Sequence, residues 1–226
     1  MRMPRPRWPL LALCAVLFLL TGCSHAVAGT PKAAPPPGVA VSADGFGIRV
    51  GLADAAVQLE IFVEPQCPAC AAFEADYGPD FRSKLAMGAL AITYRPVTFL
   101  DLDKADGYSA TVANTLFLAG TGADVTAVGF QLYLEGLMDN QDVAGDDYRN
   151  SDFADIAREA GLPDAVVARI GSGAGGVDVA TMSKQNREAL IAATGATPTV
   201  INQATGKVID IDDDDWFDRL FTHAVT

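Results

Sequence analysis

An α/β domain carrying a long helical insertion is the fold class that this sequence predicts, on the strength of three stretches. The first is an apolar run, Val57 to Val63, that leads into Cys67-Pro68-Ala69-Cys70 and then into a segment of helical composition, Ala71-Ala72-Phe73-Glu74. The second is the reach from Lys104 to Thr194, where strand signals vanish and an alanine-rich helical pattern takes over. The third is the return of strand pattern in Thr197 to Asn202 and Lys207 to Ile211, ahead of a last helical segment. With 226 residues, half of them hydrophobic, the chain is long enough for one well-buried domain.

The domain does not start at residue 1. Arg2, Arg5 and Arg7 precede an apolar run from Leu10 to Leu20, too short for an ordinary transmembrane helix but with the charge pattern of a signal peptide, expected over residues 1–22. The run ends Leu20-Thr21-Gly22-Cys23, which resembles a bacterial lipobox. That resemblance implies that Cys23 is lipidated and becomes the first mature residue, while Cys14 leaves with the leader. An ordinary secretory leader or an uncleaved anchor are the competing readings. More than one acyl chain on Cys23 would anchor the protein stably to the membrane, on the oxidising, extracytoplasmic face of the cell membrane. Residues 23–40 hold Pro31, Pro35, Pro36 and Pro37 with no apolar periodicity and read as a tether, in which His25 is a solvated residue.

Residues 41–226 then form the folded domain. Phe46 to Val50 reads as a short strand, and Ala55 to Glu64 as a central strand whose near-continuous apolar character suits a sheet covered on both faces. A helix begins at Pro68, and Tyr77-Gly78-Pro79 is expected to break or kink it before a second piece ends near Met87. Leu90 to Arg95 alternates as a strand and completes a β-α-β unit. Five helices are expected in the insertion at about 104–194: Tyr108 to Ala119, Asp124 to Met138, Ser151 to Ala160, Pro163 to Ile170 and Val177 to Ala193. Ser151 reads as an N-cap and Gly161 as a residue just past a helix end. Gln203 to Gly206 has the character of a hairpin turn, and a final helix runs from about Asp215 to His223.

Two stretches invite other functions. Gly171-Ser172-Gly173-Ala174-Gly175-Gly176 lacks the Lys-Ser/Thr and the preceding strand of a phosphate loop, and reads as a connector. Asp212 to Asp215 lacks the spaced ligands and glycine of a calcium loop, and reads as an acidic helix N-terminus. The formal charge is −12, and losing the three leader arginines takes it to −15, since −12 − 3 = −15. So acidic a chain, without a basic stretch, is a poor nucleic-acid binder.

The chemistry centres on Cys67 and Cys70. With Cys67 as N-cap, Pro68 occupies the first helical position and Cys70 the third, so the two sulfurs lie side by side. The helix dipole favours a thiolate at Cys67, whose sulfur is expected to accept backbone N–H bonds; Cys67 should attack and Cys70 resolve. A structural disulfide closing so short a loop would stabilise by only about 2 kcal/mol. A zinc site would need two further ligands, and once Cys14 and Cys23 are accounted for too few cysteines and histidines remain, so no metal is expected.

The stretch Ile61-Phe62-Val63-Glu64-Pro65-Gln66-Cys67-Pro68-Ala69-Cys70, taken with Gly195-Ala196-Thr197-Pro198-Thr199-Val200 downstream, resembles the DsbA-like branch of the thioredoxin superfamily. The resemblance covers the chain from about Val41 and implies a thioredoxin fold with an inserted helical subdomain. It also implies a cis-proline, Pro198, packed against the cysteine pair, with Thr197, Pro68 and Ala69 facing the substrate. The activity it implies is formation of disulfides in exported cysteine-containing proteins, by a monomer without a cofactor. A membrane partner of the DsbB or VKOR type would reoxidise the pair. The sequence departs from the family in two places: Ala69 puts no polar side chain between the cysteines, and Ile61 stands where many relatives carry a proton-transferring acid. Glu60 should face the other way, and Glu64 lies near enough to raise the pKa of Cys67. A reductase of the same fold, or a non-catalytic binding lipoprotein with a structural disulfide, are the rival readings.

Overall fold

The computed structural model describes residues 37–222 apart from 102, 103, 105 and 146. The expected leader, Cys14, Cys23, His25 and most of the tether lie outside the described residues.

Three strands open the domain: β1 (Val39–Val41), β2 (Ile48–Gly51) and β3 (Val57–Val63). Helix α1 (Pro68–Ala86) and strand β4 (Leu90–Pro96) follow, and β3 and β4 pair in parallel with Leu59 opposite Ile92 and Ile61 opposite Tyr94. A short 3-10 turn (Phe99–Asp101) leads into five helices: α2 (Tyr108–Gly120), α3 (Ala127–Asp139), α4 (Asn150–Glu159), α5 (Asp164–Gly171) and α6 (Val179–Ala193). The chain returns through β5 (Thr199–Asn202) and β6 (Lys207–Val208) to α7 (Trp216–Thr222). The sheet runs β1-β2-β4-β3-β5-β6, antiparallel everywhere except at the β3–β4 pair. This is a thioredoxin fold with helices inserted between β4 and β5.

Strand β3 sits inside the sheet and is covered on both faces. Leu59, Ile61 and Val63 join one large core with α1, α2 and α3, while Phe62 packs on the opposite face with Val97 and Leu190 of α6. Helix α6 is pinned to that face through Asn186, whose Nδ2 donates to the carbonyls of Phe46 and Pro96 at 2.8 Å each. The inserted helices share the main core with the sheet, since Phe130, Tyr133 and Leu134 of α3 pack in the same cluster as Cys70 and Phe73 of α1.

Several expectations need correction. The folded domain begins before Val41: β1 pairs with β2, Gly38 bridges to Thr126, and the Ala127 N–H donates to the Pro37 carbonyl at 2.9 Å. Three residues next to a proline run carry no periodic signal, so only pairing reveals this edge strand. Helix α1 is not broken at Tyr77-Gly78-Pro79 but continuous to Ala86. Proline removes one helical hydrogen bond, yet Phe73, Tyr77 and Phe81 on one side of that point and beyond it form a ring cluster with Trp216 and Phe217. Gly78 admits the Glu135 side chain, which a Cβ would meet at 2.6 Å. The N-cap of α4 is Arg149 rather than Ser151; its N–H is satisfied by the Asp152 carboxylate at 2.9 Å.

Other readings stand. Gly161, at φ +76°, follows α4 as expected. The Gly171–Gly176 connector is held by Asn114, which accepts from the Gly176 N–H and donates to the Ala174 carbonyl. Asp213 pairs with Arg219 and accepts from the Asp215 N–H at the start of α7.

Candidate active site

Cys67 is the N-cap of α1, in extended backbone conformation (φ −80°, ψ 115°), with Pro68 at the first helical position. Its carbonyl receives the Cys70 and Ala71 N–H groups at 3.0 and 3.2 Å, which starts the helix on the cysteine itself. Its Sγ makes no capping hydrogen bond of full geometry and faces the Thr197 carbonyl at 3.5 Å, while the Ala69 and Cys70 N–H groups favour its thiolate as expected. The Thr197–Pro198 bond is cis, and the loop stands beside the cysteine pair although it lies 130 residues away in sequence. Both cysteines are free thiols, Cys67 half-buried and Cys70 fully buried, with Pro68 and Ala69 exposed between them.

The acidities of the two sulfurs are driven apart. A hydrogen bond from the Cys70 thiol, backed by the Ala69 and Cys70 amides at the helix N-terminus, brings Cys67 down to about 5 against the opposing effect of burial. Giving that hydrogen bond, together with burial, pushes Cys70 far up. At neutral pH the pair therefore holds one thiolate, at Cys67. The expected repulsion between Glu64 and the Cys67 thiolate is present, but it is outweighed at Cys67 by this stabilisation.

Glu64 is completely buried at the junction of β3 and α1. Its N–H points at the Cys70 Sγ at 3.5 Å, its Oε2 accepts from the Gln66 N–H at 3.1 Å, and its Oε1 meets the Ser109 hydroxyl of α2. Burial pushes its carboxyl up to about 7, with the Gln66 N–H acting in the opposite direction. Glu60 faces elsewhere, as expected: it pairs with Arg95 at 2.7 Å, which also holds Asp44 at 2.6 Å. Ile61 is buried in the core.

One contact to the cysteine loop was not legible in the sequence. Gln141, just after α3, donates its Nε2 to the Pro65 and Cys67 carbonyls at 2.7 and 3.0 Å, so the insertion holds the loop that carries the thiol. Nothing local marks Gln141 or Ser109, since each acts on residues more than forty positions away.

Residues 44–216 match the family model described as thioredoxin. The chain belongs to the thioredoxin family. Within it the fold is DsbA-like. The MdbA thiol-disulfide oxidoreductase of Corynebacterium diphtheriae superposes with a TM-score of 0.68 at 22% identity, over 84% of this chain and 95% of that one. DsbA of Mycobacterium tuberculosis does so with a TM-score of 0.55 at 22% identity, over 80% of this chain and all (100%) of its own. Among curated proteins, the serine/threonine-protein kinase PknE of Mycobacterium tuberculosis is 28% identical over 177 residues, which is 77% of this chain but 31% of the kinase. The chain thus spans less than a third of the length of that relative. In this thioredoxin-family site, a groove between α1 and α3 begins at the exposed Pro68 and is lined by Ala71, Ala72, Ala75, Leu132 and Val143.

Proposed function

We propose that the protein is an extracytoplasmic thiol-disulfide oxidoreductase that forms disulfides in exported proteins. The observation that carries this reading is the split between the sulfurs: a half-buried Cys67 held as a thiolate beside a buried, protonated Cys70. A stabilised thiolate favours the reduced form, which makes the corresponding disulfide an oxidant. In the oxidised protein a substrate thiolate attacks the Cys67 sulfur, the Cys67–Cys70 bond breaks, and Cys70 leaves and takes up a proton. A second substrate thiolate then attacks the substrate sulfur of the mixed disulfide, forming the product disulfide and releasing Cys67 as a low-pKa, good leaving group. Thr197 and the exposed Pro68 and Ala69 border the attacked sulfur and would receive the substrate backbone, with Pro198 shaping the loop.

Equilibration with glutathione buffers tests the direction of the reaction. A potential toward about −120 mV supports the oxidase; one near about −270 mV would overturn it in favour of a reductase. No equilibration at all would favour a non-catalytic binding lipoprotein. The proposal extends to a membrane anchor at Cys23, supported by Leu20-Thr21-Gly22-Cys23 after a basic, apolar leader, and to a DsbB- or VKOR-like reoxidant in the same membrane. Cys23→Ser should abolish lipid labelling; a variant labelled like its parent would remove the anchor from this reading.

A further inference from the structure

A proton count around Glu64 goes beyond the two sulfurs. The Ser109 hydroxyl lies against Glu64 Oε1 and also 3.0 Å from Gln66 Oε1. The Gln66 amide cannot be turned round to relieve this, because its Nε2 donates to the Val143 and Asp142 carbonyls at 3.1 and 3.4 Å. Its oxygen is therefore an acceptor. One hydroxyl has one hydrogen, and it cannot serve both a carboxylate and an amide oxygen. Both contacts are satisfied when Glu64 is protonated: the carboxyl donates to Ser109 and Ser109 donates to Gln66. The remaining carboxyl oxygen accepts from the Gln66 N–H.

We propose that Glu64 holds a proton while Cys67 is a thiolate and releases it when the Cys67 sulfur enters a disulfide. The ionisable groups that face Glu64 are Cys67 and Cys70 from the start of α1, Asp101 from the 3-10 turn and Tyr108 from α2. Of these, Cys67 is the one whose charge changes in thiol-disulfide exchange, and its thiolate repels charge on Glu64. The balance is explicit. The reduced site is Cys67 thiolate, Cys70 thiol and Glu64 acid; the oxidised site is the disulfide and Glu64 carboxylate. Oxidation sends two electrons to the incoming disulfide and two protons, one from Cys70 and one from Glu64, to solvent. Without Glu64 only one proton moves. Glu64 is a positioning residue here: it acts on the charge of Cys67, not on substrate.

This inference rests on the reading of Cys67 and Cys70 as a redox pair, and its test separates the two. Carbon-13 NMR of glutamate carboxyls in the full chain, assigned by loss of the Glu64 signal in Glu64→Gln, should show Glu64 titrating near 7 in the reduced protein. Its acid constant should rise about tenfold or more in the oxidised protein. Cys67→Ser, which removes the thiolate without any redox step, should do the same, and so tests Glu64 even if the pair proves inert toward glutathione. Identical titrations in the reduced, oxidised and Cys67→Ser forms would overturn the proposal. Ser109→Ala gives a second arm. Loss of an acceptor for the Glu64 proton should lower its titration, whereas a rise would mean that Ser109 donates to a carboxylate and would overturn the proton count. In glutathione equilibria, the wild type should take up more than one proton per two electrons between the two Glu64 titrations, about one and a half at their midpoint for a tenfold shift and nearer two for a larger one. Glu64→Gln, whose amide can mimic the acid, should take up one; an unchanged slope in that variant would sink the coupling. None of these readouts depends on whether the potential is oxidising or reducing.

Discussion

Two buried glutamates flank the first half of α1, and they have the same acidity but different neighbours. Glu64 and Glu74 are both brought up to about 7, in each case mainly by burial. Around Glu74 the chemistry is static. Its Oε2 accepts from Gln131 Nε2 at 2.8 Å, and Gln131 accepts from the Tyr94 hydroxyl at 2.7 Å. Its Oε1 has no hydrogen-bond partner among the described residues, and burial drives the Tyr94 phenol well up, so that group stays neutral at physiological pH. Around Glu64 every oxygen is engaged and a thiolate stands nearby. Burial alone makes a reluctant acid; a neighbour whose charge changes is what gives that acid work in a reaction. The Glu74 end of the helix carries a stability burden and the Glu64 end carries the chemistry.

The largest effect expected at the chemical end is a covalent one. Cys70→Ala keeps the Cys67 thiolate but removes the resolving sulfur, so it should accumulate mixed disulfides with exported proteins, seen on non-reducing gels and cleared by reductant. Cys67→Ala leaves a fully buried sulfur and should trap far less. Equal trapping by both would erase the distinction between the sulfurs. A purely structural disulfide predicts similar loss of stability in the two variants and no asymmetry.

Next in size is the stability burden of Glu74. Its folded pKa of about 7 lies above an unfolded value of about 4.3. The sign follows: its contribution is fully present below about pH 4.3 and is lost as pH rises through about 7, a loss on the order of 3 kcal/mol. Glu74→Gln should therefore match its parent below about pH 4.3, gain on it progressively as pH rises through that window and keep the full advantage above it, in chemical denaturation followed against pH. The gain should be the same in reduced and oxidised protein. A gain that depends on redox state would mean that Glu74 also feels the thiolate, and the contrast with Glu64 would fail.

The smallest effect tests how the insertion holds the active-site loop. Gln141→Ala strips a donor from the Pro65 and Cys67 carbonyls and should lower stability by about 1 to 2 kcal/mol. Denaturant midpoints at pH 7 measure it. A loss no larger than a few tenths would show that water replaces the amide and that the loop does not lean on the insertion.

Local pattern determined a good deal of this protein. The apolar run into Cys67-Pro68-Ala69-Cys70 placed β3 and the start of α1, because an N-cap followed by proline has few other conformations. The alanine-rich block placed five helices between β4 and β5, with ends displaced by a few residues where caps such as Thr126 and Asp178 outcompete their neighbours. The cysteine roles followed from position within the first helical turn, and Pro198 from its resemblance. Tertiary structure decided what no local pattern encodes. Pairing made a strand of Val39–Val41, and ring packing carried α1 through Pro79. Folding also brought Ser109 to Glu64 and Gln66, and Gln141 to the Pro65 and Cys67 carbonyls, because a hydrogen bond between segments forty or more residues apart depends on where helices pack and leaves no periodic trace in either segment. The acidity of Glu64 belongs to that class: its place in the sequence puts it near Cys67, but burial beneath the insertion is what raises it.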